Sequence, residues 1–494
     1  MQLHEFERLA AQGFNRIPVV RQVLADVDTP VSSYMKLANG PYSYLLEAVE
    51  GGEKRGRYSM IGLPCSRVIK VFGHDVVEEI DGVEVKRETV DDPLAYIDAV
   101  KDEFRVAPID EVSGFSGGLV GYFAYDTVRY AEKRLADSTP PSQIGCADIV
   151  LMVSEKIMVF DNLAGTLSLV ILADPNQENA LDSARSALDD LYTQLRTATF
   201  DLPELNIGAL KQDSTSLEAS FDSSFGQAAY EKAVDDIKEY ILAGDCMQVV
   251  ISQRLSRPFN GDPLSLYRAL RLVNPSPYMY FMNLGDTHVV GSSPEILARM
   301  VDRKLVVRPL AGTRRRGHTE AEDLALEKEL LADPKEVAEH LMLIDLGRND
   351  IGRVAKTGSV NVTEQMDVER YSHVMHIVSN VEGDAKDDLT ALGLLRSALP
   401  AGTLSGAPKV RAMEIIDEFE PIKREVFGGA VGYISWDGNM DVAIAIRTAV
   451  IKDGQLHVQA GAGVVADSVP ALEWKETMNK ARAVIKAVAM VEEA

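Results

Sequence analysis

The hexapeptide Gly117-Gly118-Leu119-Val120-Gly121-Tyr122 recurs as Gly428-Gly429-Ala430-Val431-Gly432-Tyr433, and at equal spacing the two copies reach Tyr125-Asp126 and Trp436-Asp437. Glycine weakens a strand interior, so a repeated GGxVGY marks a bend or a close backbone approach in each of two related sheets. Chance recurrence of a glycine-rich strand is the plainer alternative. Further apolar or alternating segments, among them QVVISQRLSRPF, KLVVRPL, DVAIAIRTAVI and QLHVQAGAGVV, read as strands. Short turns such as Asp437-Gly438 and Asp453-Gly454 join some of them into antiparallel hairpins. The expected fold is α+β: two packed, mostly antiparallel β-sheets from related halves, each half supplying a sheet, covered by helices.

Residues around 199 to 225 mix Asp, Ser, Thr and Pro without periodicity, and a helical pattern begins at Tyr230. There Val234, Ile237, Tyr240 and Ile241 recur at helical spacing and Gly244 supplies a stop. This places an N-terminal region at 1–200, a linker at 201–225 and a C-terminal domain at 226–494.

With 494 residues and 46% hydrophobic content, the chain can build a large core. Its 51 basic and 75 acidic residues leave a net charge of −24, with no basic cluster interleaved with aromatics, which excludes nucleic acid and anionic membrane as partners. An anionic substrate would therefore need local positive charge or a metal. Cys65, Cys146 and Cys246 are scattered outside any CxxC pair, which fits a reducing compartment and disfavours structural zinc. The N-terminus lacks the apolar core of a signal peptide, and no run of about 18 apolar residues occurs. A cytoplasmic location is expected.

Glu336 and Glu339 stand three apart beside His340, a spacing that puts both carboxylates on one helix face, and Glu473 and Glu476 repeat it. Two such pairs converging would form a hard oxygen site suited to Mg²⁺, although any single pair is ordinarily solvated helix surface. The Gly402–Lys409 segment resembles a phosphate loop but departs from its pattern, and Pro408 disfavours a helix starting at Lys409. Gly461-Ala462-Gly463 imitates a dinucleotide fingerprint, yet residues 467–470 read as a loop where that motif needs a helix. Backbone amides offered to an anion by glycine-rich turns survive both rejections. Arg447 in AIAIRTAV calls for a partner, either a bound carboxylate or one of the chain's own acids. Glu295 and His376 sit among apolar residues as proton carriers or as hydrogen-bonded core groups.

Taken in order, QVV from Gln248, NPSPYMYFM, GSSPE, RPLAGTRRRG, KEVAEHLMLIDLGRNDIGR, SHVMHIVSNVEG, PAGTLSGAPKVRAMEIIDE, GGAVGY, AIRTAV, AGAGVVADSVP and EWKETMNKA closely resemble the anthranilate synthase large-subunit (component I) family of chorismate-utilising enzymes. The resemblance covers nearly the whole chain, including an N-terminal LLE and GGEK-GRYS segment. It implies that ammonia aminates chorismate at C2 with loss of the C4 hydroxyl, after which pyruvate leaves to give anthranilate. It also implies that Glu339 and Glu476 hold magnesium, supported by Glu336 and Glu473. Glu295 would be the acid for the departing hydroxyl, and His376 would handle the ring proton. Arg447 and the Gly461, Ala462 and Gly463 backbone would grip the enolpyruvyl carboxylate, while Gly312 and Thr313 face the ring carboxylate. Thr403 and Lys480 would line the same cleft.

Water-adding relatives carry a lysine where this chain has Gln248, and glutamine cannot deprotonate water. Aminodeoxychorismate synthases place an attacking lysine at the position of Ala311, so here ammonia attacks directly. No glutaminase Cys and His motifs occur, which implies a separate glutamine amidotransferase subunit. L-tryptophan would inhibit through Glu47, Ala48, Ser59, Asn274, Pro277, Tyr278, Met279 and Gly291; Ala48 replaces the family's serine, which predicts weakened inhibition. Phe427 replaces a tyrosine whose hydroxyl would contribute about 1.5 to 3 kcal/mol to a charged partner. A raised Michaelis constant follows. Arg55 replaces a tryptophan, with no consequence that can be derived. The competing readings are an aminodeoxyisochorismate synthase that stops before pyruvate elimination and a catalytically lapsed tryptophan sensor.

Overall fold

The computed structural model describes residues 1–49, 57–108, 115–212, 214–371 and 374–492; Arg55 lies outside them. Two twelve-stranded sheets, antiparallel at every paired strand, form the centre of the molecule. One runs Ile17–Leu24, Thr166–Ala173, Lys156–Asp161, Tyr58–Gly62, Ser43–Glu47, Tyr278–Asn283, Thr287–Ser293, Thr448–Lys452, Gln455–Val464, Gln248–Pro258 and Asp222–Ser223. The other runs Leu310–Arg315, Val374–Asp384, Lys304–Val307, Ile296–Val301, Met440–Ile444, Ala430–Ser435, Gly118–Phe123, Ile149–Ser154, Arg67–Phe72, Asp75–Ile80 and Val83–Thr89. The twelfth strand of each lies off its path: Gly406–Ala407 pairs with Gln248–Pro258 in the first, and Asn361–Arg370 with Val374–Asp384 in the second.

The expectation that each half supplies a sheet is overturned, because strands from both halves enter both sheets. The halves join edge to edge, at Ser43–Glu47 beside Tyr278–Asn283 in the first sheet and at Gly118–Phe123 beside Ala430–Ser435 in the second. Pairing two related units in this way removes two exposed edges per half, which an isolated sheet would have to protect. The repeated hexapeptides are themselves the second seam, with Gly121 directly opposite Gly432. A Cβ on Gly121 would sit 1.9 Å from the Val150 carbonyl oxygen and one on Gly432 2.2 Å from that of Asp441. The close backbone approach read from the sequence is therefore the reason for the repeat.

One apolar core fills the space between the sheets, where Tyr44, Tyr280 and Val450 of the first meet Val120, Leu297 and Val431 of the second. A second core packs Leu255, Leu456 and Val458 of the first sheet under the helices Pro263–Val273 and Pro470–Glu492. The helix expected from Tyr230 spans Gln227–Leu242, and Gly244 beyond it adopts φ +88°. Contrary to expectation, a helix does start at Lys409: Pro408 occupies the N-cap with φ −65°, where a proline's missing N–H leaves nothing unsatisfied. Lys409 donates to both Asp350 carboxylate oxygens at 2.8 Å, so the lysine of the phosphate-loop look-alike is already paired. After Gly463 the next helix begins only at Pro470, which agrees with rejecting the dinucleotide reading.

Candidate active site

The chain crosses between the sheets at two neighbouring places, and each crossing carries a charged residue. Glu295 lies between Thr287–Ser293 of the first sheet and Ile296–Val301 of the second. Arg447 lies between Met440–Ile444 of the second and Thr448–Lys452 of the first, at φ +50°, rather than within a strand as the alternation suggested. Backbone bonds stitch the crossings together: the Ile444 amide donates to the Glu295 carbonyl at 3.0 Å and the Ser292 amide to that of Arg447 at 3.2 Å.

Glu295 is buried, and burial is the main force pushing its carboxyl up to about 8. The Thr403 hydroxyl donates to its Oε1 at 3.1 Å, and this bond, the Leu310 amide, Lys480 and Arg447 pull weakly the other way. At neutral pH the group is therefore a protonated acid. His376, on the strand Val374–Asp384, is also buried, and burial followed by the Arg447 charge lowers it to about 4. Its Nδ1 lies 3.0 Å from the Gly312 carbonyl oxygen, which can only accept, so Nδ1 carries the proton and Nε2 keeps a free lone pair. The Thr313 hydroxyl stands 3.1 Å from the same nitrogen. Gly312 sits at a bulge with φ +66°, and a Cβ there would come within 3.2 Å of Glu336. Among the described residues no carboxylate pairs with Arg447, which favours the bound-carboxylate reading over the structural one.

The acidic pairs come from two helices. Asp333 caps Pro334–Gly352 by accepting from the Lys335 and Glu336 amides, with proline at the first turn. This leaves Glu336 and Glu339 half-buried while His340 is buried, its Nε2 2.7 Å from the Ser379 hydroxyl. Burial raises Glu339 first, the Gln248 amide bond at 3.2 Å opposes, and the charges of Glu336 and Glu476 raise it further. The Glu476 charge thus reaches Glu339 from the second helix. From the helix Pro470–Glu492, Lys480 pairs with Glu476 at 2.8 Å and donates to the Gly461 carbonyl at 2.9 Å. Burial also raises Glu473. Among the described residues, no group of three or more His, Cys, Asp or Glu is assembled to hold a metal by itself.

Gly463 lies under Gln248, whose amide nitrogen would be 2.4 Å from a Cβ there. Ala462 is wholly buried opposite Ile251. Phe427 is buried beside Arg424, with 5.6 Å between ring and guanidinium. Sequence reasoning missed Arg314, which holds Glu336 at 3.1 Å and Asp333 at 2.7 Å, and Tyr371, whose ring meets His376 edge-on at 5.6 Å. The RRR run and the tyrosine five residues before His376 were the available signals.

A separate cavity of about 430 Å³ lies between the sheets at the seams of the halves. Glu47, Ala48, Pro277, Tyr278 and Met279 line it, whereas Ser59, Asn274 and Gly291 do not. The Ser59 hydroxyl accepts from Asn162 at 3.1 Å, Asn274 donates to Ser292 at 2.8 Å, and Gly291 backs the Tyr280 ring. Glu47 is bonded to Tyr267 and pairs with Arg271 at 3.2 Å.

Two packed sheets with a buried acid, a neutral histidine and an arginine that has no carboxylate partner among the described residues fit an enzyme for an anionic substrate, and the chain belongs to the chorismate binding enzyme family, whose model matches residues 46–486. Over 493 residues it is 59% identical to anthranilate synthase component 1 of Pseudomonas aeruginosa, covering 100% of this chain and 99% of that protein. The crystal structure of anthranilate synthase component I from Streptococcus pneumoniae superposes with a TM-score of 0.76 at 35% identity, covering 94% of this chain and 99% of that one. The menaquinone-specific isochorismate synthase of Escherichia coli shares the fold, with a TM-score of 0.70 at 18% identity and 98% coverage of each chain. Among the described residues no helix is long and apolar enough to cross a membrane.

Proposed function

We infer that the chain is the chorismate-consuming component of an anthranilate synthase, and the observation that carries this reading is a buried, protonated Glu295 bonded to Thr403 together with a buried, neutral His376 bonded to Gly312, both within the field of Arg447 and Lys480. Water leaves far more readily than hydroxide, so Glu295 gives its proton to the C4 hydroxyl of chorismate as ammonia adds at C2. Thr403 keeps the carboxyl aimed. His376 Nε2 then takes the C2 proton, the bond from C3 to the enolpyruvyl oxygen breaks, and pyruvate and the aromatic amine result. A free base at Nε2 favours completion of this elimination over a reaction that stops at the aminated intermediate. Arg447 and the Gly461–Gly463 backbone hold the enolpyruvyl carboxylate, and Gly312 and Thr313 border the ring carboxylate.

Burial first, and then the charges of Glu336 and Glu476, raise Glu339, and a divalent cation there would relieve that repulsion. Mg²⁺ commonly takes one or two protein carboxylates and completes its shell with water and substrate. Glu339 and Glu476, supported by Glu336 and Glu473, would hold it, and when bound it neutralises the substrate's ring carboxylate.

Ammonia would come from glutamine through a separate amidotransferase subunit, and L-tryptophan would inhibit from the cavity at Ala48. Three free cysteines are compatible with a cytoplasmic location. Purified alone, the chain forms fluorescent anthranilate from chorismate with Mg²⁺ and ammonium, and none with glutamine. Equal turnover with glutamine in a pure sample would refute the separate subunit, and no product with ammonium would refute the activity.

A further inference from the structure

Glu295 and Thr403 also line a second, smaller cavity of about 40 Å³, large enough for one or a few waters. His376, Gly312, Arg447 and Lys480 are not among its walls, so it lies behind Glu295 as seen from the groups that would hold a substrate. Leu343, Leu346 and Ala401 make part of the lining apolar, and Arg308 and Asp350 bring charge to it.

Arg308 stands between the strands Lys304–Val307 and Leu310–Arg315. Its Nη1 and Nη2 donate to the Glu369 carboxylate at 2.7 and 2.8 Å, and Nη2 also donates to Glu364 at 3.1 Å. Its Nε is buried, and no hydrogen-bond partner reaches it among the described residues. A buried donor on a charged group is costly to leave unbonded, and an ordered water is a common partner for one. The Asp350 carboxylate borders the same space, fixed by Lys409 Nζ at 2.8 Å to each oxygen. A water in the cavity thus has a donor in Arg308 Nε and acceptors in Glu295 and Asp350, the polar partners that a buried water needs. The Arg308 side chain keeps 12% exposure and Leu346 is half-buried, so the cavity borders solvent at these two residues.

We propose that water held in this cavity returns the proton to Glu295 after each turnover, with Arg308 as its positioning residue. The proposal rests on the functional reading above, in which every departing C4 hydroxyl takes the Glu295 proton away as water and leaves a carboxylate. One O–H bond of the held water breaks as its proton moves to that carboxylate, and the same oxygen takes a proton in turn from bulk solvent at the Arg308 edge. The solvent is the only acid consumed. The positive charge beside the water favours its giving up a proton. A path from behind also lets Glu295 recover its proton while product still fills the cleft.

The test compares the first turnover with later ones by rapid mixing of the full chain with chorismate, Mg²⁺ and saturating ammonium, followed by anthranilate fluorescence. Leu346→Phe fills the cavity from a half-buried helix position, and Arg308→Lys keeps the charge beside Glu364 and Glu369 but loses the Nε donor. In each variant that folds, the ratio of the first-turnover rate to the later rate rises severalfold over the wild type, and the slow phase slows further in deuterium oxide. A ratio that stays at the wild-type value, with both phases unchanged or falling together, overturns the relay and leaves Arg308 a structural role. A slow phase without a solvent deuterium effect reports product release and overturns it too. A wild-type chain that forms no anthranilate even in the first turnover overturns the functional reading itself.

Discussion

The hydroxyl of Thr403 donates to Glu295 Oε1 at 3.1 Å, opposing the burial that pushes this carboxyl up to about 8. A bond to the charged form lowers a carboxyl pKa, so Thr403→Val raises that of Glu295 further. The alkaline fall in kcat, expected near pH 8, moves to higher pH in this variant. Glu295→Gln keeps the shape without the proton and slows turnover by about 10² to 10⁴-fold. A pH profile taken at constant free ammonia reads both effects, and an unshifted limb in Thr403→Val would assign the ionisation elsewhere.

Arg447 has no carboxylate partner among the described residues, and its charge helps to lower His376. Arg447→Met therefore raises the Michaelis constant for chorismate by about 10 to 100-fold, the value of a lost charged hydrogen-bonding partner. It also lets His376 protonate more easily, so the acidic limb of the rate moves to higher pH. Steady-state kinetics across pH separates the two effects.

His340 is wholly buried, and burial alone lowers it from 6.5 to about 4. The folded chain thus binds fewer protons than the unfolded one between those values. Its contribution to stability is complete above about pH 6.5 and is lost as pH falls toward 4. Melting between pH 7 and 5 shows a fall in Tm for the wild type. The fall is smaller in His340→Gln, by the equivalent of about 2 kcal/mol at pH 5.

Ala48 lines the 430 Å³ cavity between the sheets. Ala48→Ser adds a hydroxyl there, and tighter inhibition by L-tryptophan is expected, by roughly threefold to tenfold for one added hydrogen bond. Inhibition curves for anthranilate formation measure it. An unchanged midpoint would place tryptophan recognition on other residues.

Much of the fold is legible in local pattern. The periodicity after Tyr230 and the glycine echo each report a local or neighbouring geometry. The misreadings concern partners. Arg447 lies in an alternating apolar segment, and only the crossing between sheets makes it a cleft residue. Pro408 counts against a helix until its N-cap position is seen.

By itself the sequence determined the two related sets of strands, the helices bearing Glu336, Glu339, Glu473 and Glu476, and the residue types available for proton transfer. These depend on backbone propensity and on side-chain spacing along one segment. Only the tertiary structure decided that the halves share both sheets, with Gly121 against Gly432, and that burial makes Glu295 an acid and keeps His376 neutral. Strand pairing depends on which edges remain to be satisfied, and a pKa sums burial and charge from residues far apart in the chain, so neither is a property of a local segment.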